Sequence, residues 1–201
     1  MRSALRVLRD EHTALSALLH TLVLMLAQAR GANRAPDFGA LRAMLFYVDE
    51  FPEKRHHRKE SELLFPRLRA RVPLARELLD RLDDDHERGH VRIRDVEHAL
   101  TEYEMLGASR AAAFERALRR YVDFYRAHMA LEEDEVFPLA ERHLTDEDWR
   151  HLDADLAAEP DPLTGRSADE EYQALFDRIV DLVPAPFGFA EAGPGERGVG
   201  A

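Results

Sequence analysis

The sequence predicts an all-α protein: an up-down-up-down antiparallel four-helix bundle over residues 1–144, followed by a helical C-terminal extension over residues 145–201. Three observations carry this. Strand signals are nearly absent, apolar residues recur in three- and four-residue steps along four long segments, and the connections between those segments are short and marked by Gly or Pro. The first stripe is Leu5, Leu8, Leu15, Leu19, Leu22 and Leu26, with His12 filling its one gap; Gly31-Ala32-Asn33 and Pro36 end the helix. The second is Leu41, Leu45, Val48, Pro52, His56, Glu60 and Leu63 or Leu64, with Pro52 and Pro66 expected to kink or end it. Pro73 opens the third, which runs through Leu79, Leu82, His86, His90, Ile93, Glu97 and Leu100 to a stop at Gly107. Ser109 is the expected cap of the fourth, whose stripe is Leu118, Tyr121 or Val122, Tyr125, His128, Glu132 and Val136.

After Leu144 the pattern changes. Thr145-Asp146-Glu147-Asp148 reads as a capping box opening a short helix through Trp149 and Leu152. Ser167-Ala168-Asp169-Glu170 is a second box leading into Tyr172, Leu175, Phe176, Ile179 and Val183, and the Pro- and Gly-rich end reads as an irregular tail. The extension has an apolar face to cover. The outer face of the first helix, apolar almost all round from Leu18 to Leu26, is its expected seat, with a homodimer partner as the competitor for that face.

Composition narrows the function. Of 201 residues, 45% are hydrophobic and 33% charged, a globular balance, and 39 acidic against 28 basic residues give a net charge of −11. That excess argues against nucleic-acid partners and against an anionic membrane surface. With no Cys, disulfides, thiolate metal sites and cysteine nucleophiles are excluded. The N-terminus has no apolar signal core, and the stretch Thr13–Ala29 is broken by His20 and Gln28 and short for a membrane span, so a cytoplasmic protein is expected. Ten His in such a chain is the unusual count. Any metal must be held by imidazole and carboxylate.

Polar residues interrupt the inward stripe of all four helices: His12, then His56 with Glu60, His86 with His90, and His128 with Glu132. Each pair is spaced i, i+4, which puts both side chains on one helix face. Measured from turns near residues 33, 72 and 108, their depths agree to within one or two helical turns at about 1.5 Å per residue, so all seven side chains can meet in one layer. An internal repeat supports this: His56-x3-Glu60-x4-Phe65-Pro66 recurs as His128-x3-Glu132-x4-Phe137-Pro138, offset by 72, with Asp10-Glu11-His12 echoed by Asp84-Asp85-His86. Buried and unpaired, five imidazoles would cost on the order of 1–3 kcal/mol each and two carboxylates more. Salt bridges among them relieve part of that; metal relieves all of it. Two ions bridged by Glu60 and Glu132 suit the pseudo-symmetry, one with His86, His90 and His128, the other with His12 and His56 and an open position. These donors suit iron, manganese or zinc, and exceed what a structural zinc site needs.

The set His12, His56-His57-x-Lys59-Glu60 with Leu64-Phe65-Pro66, His86, and His128-x3-Glu132-Glu133 with Phe137-Pro138 resembles the hemerythrin HHE cation-binding family, over about residues 1–143. The resemblance implies an oxo- or hydroxo-bridged pair of non-heme iron ions that binds O2 or a related diatomic ligand, or senses oxygen, iron or redox state. His90 is similar to the second histidine on the third helix of the oxygen carriers. Those carriers place the last carboxylate five residues after the fourth-helix His; here Glu132 stands at four and Glu133 at five, so either can bridge. A di-iron oxidase, peroxidase or nitric-oxide-handling enzyme is the alternative, and needs a proton or electron path. Metal-dependent signalling through the tail is a third reading.

Other residues are expected to play lesser parts. His57 points about 100° from His56, beyond the ligands or to solvent. His20 reads as a packed polar residue or tail contact, and His98, His143 and His151 as surface. Tyr121 and Tyr125 read as core, with a place lining the ligand pocket as the alternative. Glu53-x2-His56 and Glu87-x2-His90 resemble fragments of a ferritin-like motif, but the first helix offers no stripe Glu to complete it.

Overall fold

Ser3–Gly31 forms one unbroken helix, α1, because no Pro or Gly precedes Gly31 in its 29 residues. It is long and apolar enough to cross a membrane, yet half of its most apolar window is buried inside the protein. A computed structural model describes residues 2–157 together with Ala174, Leu175, Asp177 and Ile179. After Asn33, whose φ of 48° turns the chain, Asp37 caps α2 (Phe38–Val48) by accepting the Ala40 N–H at 2.9 Å.

The helical rod begun by α2 does not stop where its prolines predict. It continues through π-helical stretches at Asp49–His56 and Lys59–Leu64 into α3 (Phe65–Arg71), and every junction residue keeps right-handed helical angles. Pro52 sits inside the first π stretch and Pro66 in the first turn of α3. A widened π turn absorbs the N–H and the space that a proline denies an α-helix. The repeat is mirrored here: α5 (Ala111–Leu131) passes through a π stretch at Glu132–Val136 into α6 (Phe137–His143). Between the two rods lies α4 (Arg76–Leu106), entered by a 3-10 turn at Pro73–Ala75 and stopped by Gly107 at φ 82°. Ser109 is not the cap expected of it. It lies within a 3-10 turn, Ala108–Arg110, that feeds α5 without any side-chain cap. The described residues thus form five helical rods with no strand among them.

α7 (Asp146–Ala157) starts at the predicted box: the Asp148 N–H donates to Thr145 Oγ1 at 3.2 Å, and the Thr145 N–H to Asp148 Oδ2 at 2.9 Å. Its seat differs from the expected one. Trp149, Leu152 and Leu156 pack on Ala4, Leu5 and Leu8 at the start of α1 and on Leu64, not on Leu18–Leu26. The start of α1 has no side-chain cap of its own, and Asp153 of α7 supplies one, accepting the Ala4 N–H at 2.7 Å. Leu18, Leu19, Leu22 and Leu26 are spent in the core. Ile179 is buried in that same core, and Leu175 packs at its edge, lining a cavity with Ala43, Phe46 and Leu100 of α2 and α4. The second capping box, Tyr172, Phe176, Val183 and the tail lie outside the described residues.

Two apolar cores result. One gathers Ala4, Leu5, Leu8, Leu64, Phe65, Leu82, Val136, Phe137 and the α7 residues; the other gathers Leu15, Leu19, Phe51, Ile93, Tyr121, Tyr125 and their neighbours. Between them, on every rod except α7, the buried residues turn polar: Glu11 and His12; Glu53, His56, His57, Lys59 and Glu60; Asp85 and His86; His128 and Glu132.

Candidate metal centre

In the polar layer the imidazoles stand in two pairs. His12 Nε2 is 3.0 Å from His56 Nε2, and His86 Nε2 is 3.2 Å from His128 Nε2; both pairs have ring centroids 4.8 Å apart at a steep angle. Glu60 and Glu132, both fully buried, lie between the pairs. Glu132 Oε2 faces His12 Nε2 at 3.4 Å, while its Oε1 faces His128 at 3.2 Å and His86 at 3.6 Å. Glu60 Oε2 faces His56 at 3.4 Å and His86 at 3.5 Å, and its Oε1 faces His12 at 4.0 Å. Each carboxylate therefore reaches both imidazole pairs.

None of the four oxygens of Glu60 and Glu132 makes a hydrogen bond. Two buried carboxylates so placed carry a large desolvation cost without the bonds that normally offset it. Two donors each about 2.1 Å from one ion, at right angles, are about 3 Å apart, and the nitrogen–oxygen separations fall in the range such sharing requires. The donor set fits metal cations.

The atoms facing away from the centre are held by a further set of residues. His56 Nδ1 donates to Glu11 Oε2 at 2.8 Å, and Lys59 donates to the other oxygen of Glu11. His12 Nδ1 donates to Glu133 Oε1 at 2.9 Å, and His86 Nδ1 to Ser61 Oγ at 2.8 Å, which in turn donates to Asp83. Fixing Nδ1 in this way leaves Nε2 free to bind. The arrangement follows the internal repeat: Glu133 stands to Glu132 as Ser61 stands to Glu60, Phe137 stacks on His12 at 5.6 Å, and Phe65 on His86 at 5.7 Å. Glu132, not Glu133, is thus the carboxylate facing the inward Nε2 atoms, while Glu133 holds the outer nitrogen of His12. Replacing Glu133, a third exposed, by glutamine leaves the fold intact and is expected to weaken metal binding about 10–100-fold, read by competition with a chelator.

Charge follows geometry. Burial works against protonating His12, but the Glu132 carboxylate beside it, the hydrogen bond to Glu133 and the charge of Glu60 raise it to about 10. Burial likewise opposes protonation of His86, and Glu132 and Glu60 raise it to about 9. Burial alone would raise Glu132; the charge of His128 and the close approach of His12, His128 and His86 hold it well below the usual range. In the metal-free protein at neutral pH, His12 and His86 are therefore imidazolium ions. The raised histidines stabilise the metal-free fold fully below their unfolded value of 6.5, and lose that effect as pH rises through 9 and 10. The depressed Glu132 stabilises above 4.5 and loses its effect as pH falls. Thermal melts in chelator are expected to fall on both flanks, while metal, which displaces the imidazole protons, removes the alkaline fall.

Of the seven residues predicted as ligands, the structure brings together His12, His56, Glu60, His86, His128 and Glu132. His90 does not join them. Its side chain is 33% exposed and its Nδ1 lies 3.7 Å from Glu53 Oε2. His57, expected to point away, is buried and stacks flat on His86 with centroids 3.9 Å apart. Its donor atom comes within 4.8 Å of those of His86 and His128, yet its Nε2 accepts the Tyr125 hydroxyl at 2.7 Å, so it backs the centre as it stands. Its neighbours hold it neutral: burial, then the charges of His86, His128 and His56, lower it well below 6.5. Glu11, Lys59 and Ser61 are functional neighbours that the stripe analysis missed, and only their adjacency to His12 and Glu60 could have flagged them. His20, His98, His143 and His151 are exposed.

Residues 3–140 match the hemerythrin HHE cation binding domain. The chain belongs to that family. No curated protein and no solved structure matches it. As a hemerythrin-like domain the chain binds metal cations, and its buried His and Glu clusters are the donors present for them.

Proposed function

We propose that this hemerythrin-like domain, built as an up-down-up-down four-helix bundle, holds two iron ions and takes up O2 or a related small ligand for sensing, storage or delivery. The observation that carries this is the pairing of four inward Nε2 atoms around two carboxylates without hydrogen bonds. His12 and His56 would hold one ion, His86 and His128 the other, with Glu60 and Glu132 shared. Iron so held supplies a redox-active, Lewis-acidic position for a diatomic ligand; manganese and zinc fit the same donors. The chain's own part is orientation and shielding. Phe65 and Phe137 stack on His86 and His12, while Glu11, Glu133 and Ser61 hold three imidazoles in one tautomer.

The competing reading is a di-iron oxidase, peroxidase or nitric-oxide-handling enzyme, which needs a proton source beside the centre. The buried acid Glu53 is the observation that favours it. Anaerobic reduction of the iron-loaded protein followed by exposure to O2 separates the two. Optical bands that bleach and return over repeated cycles support ligand binding, and a single oxidation with no recoverable adduct supports the enzyme.

A further inference from the structure

We propose that the two metal positions are unequal: the His12–His56 position retains its ion, and the His86–His128 position is the one that exchanges. The inference rests on the metal-pair reading above and deepens it, because it separates two positions that the inward-facing donors leave alike.

Seen from inside, the halves match. Each offers two imidazole Nε2 atoms, 3.0 Å apart in one pair and 3.2 Å in the other, and both pairs face Glu60 and Glu132. The difference lies behind the rings. His12 Nδ1 donates to the Glu133 carboxylate at 2.9 Å, and His56 Nδ1 to the Glu11 carboxylate at 2.8 Å. The second pair has no carboxylate in either place. His86 Nδ1 donates to the Ser61 hydroxyl at 2.8 Å, and His128 Nδ1, buried, makes no hydrogen bond. The nearest anion behind His86 is Asp83, one hydroxyl further out, and its charge is shared with Arg69 at 2.5 Å.

The internal repeat shows that this is a difference of residues and not of backbone. Glu133 stands where Ser61 stands, so one half has a carboxylate and the other a hydroxyl behind the equivalent ring. Glu11 corresponds to Asp85, and Lys59, which holds the second oxygen of Glu11, corresponds to Leu131. Asp85 is one methylene shorter, and in place of His128 it meets Arg88 at 3.3 Å, a turn along its own helix.

An anionic acceptor on Nδ1–H pushes electron density toward Nε2 and fixes the plane of the ring; a neutral hydroxyl does less, and an unpartnered nitrogen does neither. Glu11 and Glu133 are therefore positioning residues for one ion alone. A chain built this way keeps one ion and gains or loses the other as the metal supply changes, which favours sensing over storage.

Anaerobic titration of the metal-stripped full chain with Co2+ tests this. Two steps are expected, the first tighter by about 10–100-fold. Bound Co2+ moves the Nδ1–H proton resonances of its own histidines far outside their usual range, so NMR reports which position fills. The first equivalent should bring two such signals, one altered by Glu133→Gln and the other by Glu11→Gln. The signal altered by Ser61→Ala should wait for the second. Glu133→Gln should draw the two steps together, and Ser61→Ala should spread them. Should the buried Glu11→Gln variant not fold, Glu133→Gln decides the question. Two ions taken up in one step, or a Ser61-dependent signal in the first equivalent, would overturn the inference and leave the metal pair standing. Fewer than two Co2+ per chain would overturn the metal pair and this inference with it.

Discussion

Glu132→Gln is expected to abolish metal retention and, without metal, to destabilise the fold by about 3–5 kcal/mol. Glu132 reaches His12, His86 and His128 at once, and its charge sustains the protons on His12 and His86. A neutral amide leaves buried imidazolium groups with half their counter-charge, in a layer already short of hydrogen bonds. Glu60→Gln should behave alike, since Glu60 holds the repeat-related position and touches His12, His56 and His86. Elemental analysis after chelator challenge and urea melts of the stripped proteins measure the two effects. Wild-type metal retention in either variant would show that the carboxylates do not bridge.

Trp149→Ala is expected to cost about 3–5 kcal/mol, the price of emptying a large buried aromatic site. Trp149 is 1% exposed, lies in the core with Ala4, Leu5 and Leu8, and carries the Arg2 guanidinium 5.6 Å from its ring centroid. At a few degrees per kcal/mol for a chain of this size, Tm should fall by about 10 °C. The metal content should hold, because α7 packs on the apolar core beneath the centre and supplies no ligand. An unchanged Tm would mean that α7 does not dock on the start of α1.

The six converging side chains were legible because their matched depth and i, i+4 spacing survive the π stretches that carry His56, Glu60 and Glu132, and because the His-x3-Glu repeat makes two halves report the same level. His90 was misread for a geometric reason. It lies on the stripe one turn beyond His86, at the level where Glu53 and His57 of the facing rod already occupy the interior. That rod is π-helical at Asp49–His56, so the α-helical rotation between neighbours does not apply there, and His57 turns inward beside His56. Of the two outcomes expected at the prolines, an end or a kink, the rod does not end: Pro52 sits inside a π stretch and Pro66 in the first turn of α3. Glu53 had a faint signature: it stands i, i+4 from His57, and Gly89 interrupts the third helix without a turn. The seat of α7 was not legible: the apolar outer face at Leu18–Leu26 was the expected one, whereas Trp149, Leu152 and Leu156 pack at Ala4, Leu5 and Leu8, where Asp153 meets the Ala4 N–H.

The most direct test of the account is the metal content of the full chain purified from iron-supplemented cells and reconstituted anaerobically. The account predicts two irons per chain, lost together in Glu60→Gln and in Glu132→Gln and retained in His90→Leu. Negligible metal after reconstitution, or metal that leaves with His90 while surviving loss of either carboxylate, would contradict it.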